Sequence, residues 1–227
     1  MKSNSADSWD NYWGSEEKRT FLQITYSYIA SFYRRRLIGP RLRNMLNLNF
    51  ENGSKLLHAG CGGGEVDLFV PRNFKISALD ISKEALLQYS KLHPHSETIH
   101  GDLLDLAISD KTFDGIYNLG VMEHFLPKEV DAIFETFNRI LKPKGKIVLF
   151  WPPAYGSSVI FLAIFHRLLK MIKGRNFQPL HPDEPNKLFL RSSIRHQLAS
   201  HGFSLLSFRM SPRDGFTYTV VVAEKYS

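Results

Sequence analysis

The chain has 227 residues, 43% of them hydrophobic and 22% charged, with a formal net charge of +7. That length and balance exclude wholesale disorder and allow one domain with a substantial core. A single cysteine, Cys61, excludes an intrachain disulfide framework and a multi-cysteine metal site. The basic surplus keeps nucleic acid and anionic membrane surfaces open as partners. It is not gathered in one long run, however, which favours a basic soluble enzyme. The N-terminus lacks the apolar stretch of a secretory signal, so a cytoplasmic protein is expected.

Residues 1–18 are polar with three embedded aromatics, Trp9, Tyr12 and Trp13, and read as an irregular arm or a short helix. Helical patterning runs from Thr20 to about Asn47. Pro40 after Gly39 is expected to separate a helix over about 20–36 from one over about 40–47. Together these residues form an N-terminal helical cap, 1–50. Strands and helices then alternate. Lys55–Ala59 reads as a strand, Glu65–Val70 as a helix, and Phe74–Leu79 as a strand ending at Asp80. Ser82 caps a helix over about 83–92. Short strands follow at Glu97–His100 and Phe113–Asn118. Pro127 opens a helix whose Val130, Ile133, Phe134, Phe137, Ile140 and Leu141 keep helical spacing. Lys146–Trp151 is apolar after its first residue, as a strand buried on both faces is.

This alternation predicts a parallel sheet with helices on both sides. The pattern breaks at Pro152-Pro153, and residues 157–190 read as an insertion with an unusually apolar helix over about 157–173. Ser192 or Ser193 is expected to cap a helix carrying Ile194 and Leu198, stopped by Gly202. Two final strands, about 203–210 and 217–224, are joined too closely for a parallel crossover and should pair antiparallel.

The most informative stretch is Lys55–Glu65, an apolar strand running into Gly60-Cys-Gly-Gly-Gly64. Glycines at a strand-to-helix turn let backbone approach a ligand closely. A dinucleotide fingerprint needs a third glycine or alanine where this chain has Glu65 or Asp67, and a phosphate loop needs Gly-Lys-Ser/Thr, which is absent. A ligand without pyrophosphate fits better. Asp80 ends the second strand at the edge where open α/β sheets bind ligands, placed to accept both hydroxyls of a ribose. Gly101-Asp102-Leu103 ends the third with a carboxylate for an exocyclic amine and an apolar side chain for a purine face. A phosphate-free nucleoside carrying a small charged group describes S-adenosylmethionine.

The chain resembles class I S-adenosylmethionine-dependent methyltransferases of the small-molecule type that includes the ubiquinone- and menaquinone-pathway enzymes. The likeness covers about residues 50–150. It rests on five stretches in order: Leu56 to Gly64, Ala78 to Ser82, His100 to Leu103, Phe113 to His124, and Leu141 to Val148. The resemblance implies a three-layer Rossmann-like sheet of order 3-2-1-4-5-7-6 with strand 7 antiparallel. An N-terminal helical extension and a helical lid after the fifth strand would complete one domain over 1–227. It also implies site roles. Gly60, Cys61 and Gly62 would line the methionine part, Asp80 the ribose, Ile81 one adenine face, and Asp102 with Leu103 the adenine edge and face. Asn118 and Leu119 would lie under the sulfonium. One letter departs from the family: an acidic residue is usual two places before the first glycine, and here His58 stands there.

Methyl transfer from a sulfonium is an in-line displacement with an activated leaving group, so alignment in a dry pocket does most of the work. A base is needed only for an acceptor that must lose a proton, and His124 in Val121-Met-Glu-His124 is the candidate. Glu123 beside it does not make a metal site, and none is expected. His166 and His181, in or near the insertion, read as structural or solvent-facing; Tyr12, Trp13 and Tyr155 are aromatic candidates for the pocket wall. The apolar run Val159–Phe165 is too short to span a bilayer. It reads as a lid meeting an apolar, lipid-linked or glycan-linked small molecule, with peripheral membrane contact through 157–173 in view. Nucleic acid is disfavoured, because Asn118-Leu-Gly-Val121 lacks the Pro-Pro-aromatic motif of base-nitrogen methyltransferases. An RNA methyltransferase and a non-catalytic S-adenosylmethionine-binding protein are the alternatives.

Overall fold

The computed structural model describes residues 6–14, 28–29, 31–153, 186 and 190–227. The strands are β1 (Lys55–Ala59), β2 (Lys75–Asp80), β3 (Glu97–His100), β4 (Phe113–Leu119), β5 (Leu141–Trp151), β6 (Phe203–Arg209) and β7 (Thr219–Lys225). They form one sheet in the order β3-β2-β1-β4-β5-β7-β6, the order that the family resemblance implies. β1 to β5 run parallel, and β7 is antiparallel to both β5 and β6.

Alternation along the strands divides the core into two layers. On β5, Ile147, Leu149 and Trp151 join one cluster, in which Val130, Ile133, Phe134 and Phe137 of helix α4 (Pro127–Ile140) and Ile194 and Leu198 of α5 (Arg191–Ser200) are packed. Val148 and Phe150 join the other, with Ile38, Leu42, Leu46 and Val66. A continuous apolar strand is thus covered on both faces. On α4, Glu129 reaches back 2.8 Å to accept the Leu126 N–H, satisfying a donor before the first turn.

Three boundaries differ from the sequence reading. Pro40 does not interrupt the N-terminal helical segment: a π-helical turn, Arg34–Ile38, leads directly into α2 (Gly39–Asn49). Pro40 sits in the first turn of α2, where a missing N–H costs nothing. Position 39 takes glycine because a Cβ there would fall 2.2 Å from the Phe69 ring. Second, β5 begins at Leu141, where a register shift between Phe113 and Gly115 lets Phe113 pair with Leu141 ahead of the Lys146–Trp151 ladder. Third, α5 starts at Arg191 after Leu190 with no side-chain cap, so Ser192 and Ser193 lie inside its first turn. Glu65–Phe69 is a 3-10 turn within the expected helix, and the N-terminal aromatics sit on α1 (Ala6–Gly14). The helix expected over 157–173, with Tyr155, His166 and His181, lies outside the described residues. No helix among the described residues is long and apolar enough to cross a membrane.

Candidate cofactor and acceptor site

The glycine turn leaves the carboxyl end of β1 and is tied at once to β2. The Gly60 and Cys61 N–H groups both donate to the Leu79 carbonyl, at 2.8 and 2.9 Å. The Gly62 N–H donates to Asp80 Oδ2 at 2.8 Å, while the Ser82 N–H donates to Asp80 Oδ1 at 2.9 Å. Asp80 therefore holds the turn against the start of α3 (Lys83–Leu92) before any ligand arrives. A carboxylate oxygen accepts two bonds, so each oxygen keeps room for one more donor. Burial pushes the Asp80 carboxyl above its ordinary value, although those N–H bonds work in the other direction. Additional donors would stabilise its charged form.

Beneath the turn lies a network that the sequence reading missed. Asp67, on the 3-10 turn, is within 2.8 Å of His58 Nδ1 and accepts hydroxyls from Tyr89 at 2.6 Å and Tyr117 at 2.9 Å. His58 stacks on Tyr117 with ring centroids 4.4 Å apart, as expected for registered neighbours on β1 and β4. The strand-end histidine thus meets a carboxylate that the next element supplies. Burial alone would raise the Asp67 carboxyl; the adjacent His58 and the hydroxyl donors more than reverse that and leave it below its ordinary value. Burial and the Asp67 charge push the Tyr89 and Tyr117 hydroxyls upward, so both remain donors.

Two glycines of the turn are required by close packing. Both have left-handed backbones, and a Cβ on Gly64 would meet the Tyr89 ring at 2.5 Å, while one on Gly62 would meet the Trp13 ring at 2.6 Å. Trp13 belongs to α1, which lies across the turn. Asp10 Oδ1 accepts the Ser82 hydroxyl at 2.6 Å, and Gln88 Nε2 donates to the Trp13 carbonyl at 3.0 Å. At the other end of α1 the Trp9 ring stands edge-on to His124, with centroids 5.1 Å apart. The wall beside His124 is therefore Trp9, which the sequence reading left out of its aromatic candidates. The spacing of 9, 12 and 13, helical and aromatic, was the available signal.

The remaining expected site residues line the carboxyl edge. The Ile81 carbonyl bonds the His100 ring at 3.0 Å, and the Asp80 carbonyl accepts the Gly101 N–H at 3.1 Å. These bonds join the ends of β2 and β3, so Asp80, Ile81, Asp102 and Leu103 share one stretch of the edge. Asp102 Oδ1 accepts the Leu104 N–H at 2.9 Å, and Leu103 is buried. The Cys61 side chain packs inward with Ala78, Leu86 and Tyr89, where burial raises the thiol well above its ordinary value. Leu119 is partly buried against the α2 side of the sheet. Asn118 is 0% exposed, and neither end of its amide finds a hydrogen-bond partner among the described residues. Such a group costs about 1–3 kcal/mol unless something else satisfies it.

Past Asn118, Glu123 and His124 are both buried. Glu123 Oε1 and the Tyr218 hydroxyl each lie 3.3 Å from the place a Cβ on Gly120 would take. Tyr218 immediately precedes β7 and gave no signal in sequence, because only the antiparallel return of β7 along β5 brings it to this edge.

Residues 57–149 match a family described as "Methyltransferase domain". An uncharacterized methyltransferase of Synechocystis sp. is 27% identical over 52% of this chain and 59% of that protein. The cyclopropane-fatty-acyl-phospholipid synthase of Escherichia coli is 29% identical over 45% of this chain and 27% of that protein. These matches span only part of either relative. The 1,6-didemethyltoxoflavin-N1-methyltransferase of Burkholderia thailandensis, solved with S-adenosylhomocysteine, shares the fold with a TM-score of 0.61 at 15% identity, over 91% of this chain and 88% of that one. The edge geometry fits the same cofactor: Asp80 retains acceptor capacity and Asn118 offers an unsatisfied amide beside the glycine turn. Over residues 57–149 the chain is therefore similar to S-adenosylmethionine-dependent methyltransferase domains, whose cofactor is S-adenosylmethionine.

Proposed function

We propose that the protein transfers a methyl group from S-adenosylmethionine to a small-molecule acceptor of apolar, lipid-linked or glycan-linked character. The observation that carries the reading is Asn118, a fully buried amide without a partner among the described residues, at the end of β4 beside the glycine turn. When bound, the cofactor supplies a methyl group on a positively charged sulfur, already activated for displacement. Asp80 accepts the ribose hydroxyls with its two spare lone pairs. Ile81 and Leu103 cover the adenine faces, and Asp102 accepts the exocyclic amine with the oxygen that Leu104 does not use. Gly60, Cys61 and Gly62 present backbone to the methionine part, while Asn118 and Leu119 lie under the sulfur. The His58–Asp67 pair carries the turn from below.

On the acceptor side, His124 takes the proton from an acceptor that must lose one. Trp9 orients its ring edge-on, as the 5.1 Å separation supports. The apolar run Val159–Phe165 in the sequence suits a lipophilic acceptor. The phospholipid in the name of the Escherichia coli relative supports that class. The protein works in the cytoplasm. The test is turnover with labelled S-adenosylmethionine on a panel of quinols, lipids, glycolipids and RNA. Label should enter an organic-phase product and be lost with Asp80→Ala. Label found only in RNA, or binding without turnover on any acceptor, would overturn the reading.

A further inference from the structure

Between Tyr28 and Phe50 the chain carries five arginines (34, 35, 36, 41 and 43) and no carboxylate. On that segment Tyr28, Phe32, Arg36, Pro40, Asn44 and Leu48 are all exposed. Tyr28 is 74% exposed, Phe32 65% and Leu48 69%, with Ile29 and Leu37 open beside them. A helical edge with large apolar side chains facing water is not one that packs on the core. The Arg36 guanidinium lies over the Phe32 ring at 5.7 Å, while Arg34 and Arg35 lean toward Glu65 at 2.7 and 3.6 Å. Arg36, Leu37, Pro40, Arg41 and Asn44 line a recess of about 260 Å³.

We propose that this edge docks the protein on the surface of a bilayer bearing anionic phospholipids. Aromatic and aliphatic side chains enter the boundary between headgroups and acyl chains, and Arg36 and Arg43 meet the lipid phosphates, whereas Arg41 is held by the buried Asp214 and Arg34 and Arg35 by Glu65. The charge pattern argues for this occupant. A second copy meeting the same face about a two-fold axis would set arginine against arginine. A nucleic-acid backbone would use the arginines but gain nothing from Ile29, Phe32 and Leu48. The inference does not depend on methyl transfer or on the lid, because none of these side chains belongs to the cofactor site.

The test is co-sedimentation of the full chain with phosphatidylcholine vesicles, with and without phosphatidylglycerol, at low and high ionic strength. Binding should require phosphatidylglycerol and weaken with salt. Ile29→Ser/Phe32→Ser removes the apolar anchor, and Arg36→Glu/Arg43→Glu reverses the charge while leaving the anchor in place. Each should weaken binding by about ten-fold or more, with S-adenosylhomocysteine affinity and the unfolding curve as in the parent. Absence of binding, full binding by both variants, or loss that coincides with dissociation of a dimer in light scattering would overturn the proposal. A parent chain that bound RNA more tightly than anionic vesicles would also overturn it.

Discussion

Two sets of polar side chains are buried around the same glycine turn, and they are satisfied to opposite degrees. Beneath the turn, Asp67 receives His58, Tyr89 and Tyr117. Along the rim, Asn118 has no partner among the described residues, and Asp80 holds two backbone N–H groups with capacity for two more donors. The same burial therefore leaves Asp67 below its ordinary pKa and Asp80 above it. Burial by itself does not mark a binding residue. What separates floor from rim is whether the chain has already used the bonding capacity it buried.

The largest effect that breaks this contrast is on the floor. Asp67→Ala leaves two tyrosine hydroxyls and a histidine without their acceptor, and should cost about 3–5 kcal/mol of stability. Urea unfolding checks it, and a loss under 1 kcal/mol would show that the floor is not what holds the turn. On the rim, Asp80→Ala should weaken S-adenosylhomocysteine binding by about 1–3 kcal/mol, or roughly ten- to a hundred-fold. Calorimetry measures it, and an unchanged dissociation constant refutes the ribose assignment.

Acidification should separate the two carboxylates with a smaller effect. Asp67 has a native pKa below its unfolded one, so its stabilisation is full above the ordinary carboxylate range and is lost as pH falls through the native value. Asp80 has a raised native pKa, so the folded state takes up its proton first and acidification relieves the cost of burying its charge. Cofactor hydroxyls need the charged form. S-adenosylhomocysteine affinity should therefore fall at a higher pH than the one at which the fold loses stability. Coincident transitions, or an affinity profile that Asp80→Asn does not alter, would contradict this assignment.

How much of this was legible depended on distance along the chain. The strands could be read because each is a short run between turn residues, while their order in the sheet came from the family resemblance; Asp80, Asp102 and Asn118 could be placed because each lies at or within two residues of a strand end. The floor could not. Asp67 meets partners 9, 22 and 50 residues away, and only the folded sheet brings those residues together. Tyr89 offered a partial signal, since a tyrosine on the inner face of an amphipathic helix needs a partner for its hydroxyl. Pro40 misled because a π-helical turn before it keeps the chain helical. Tyr218 is set by the antiparallel return of β7, which no local pattern records.

The most direct test of the division between floor and rim is Asn118→Leu, with unfolding free energy and S-adenosylhomocysteine affinity measured on the same preparation. Replacing a buried, unpartnered amide with an apolar side chain of similar size should leave stability unchanged or raise it by about 1–2 kcal/mol, while cofactor binding weakens. Lower stability with unchanged affinity would contradict the account, because Asn118 would then belong to the floor.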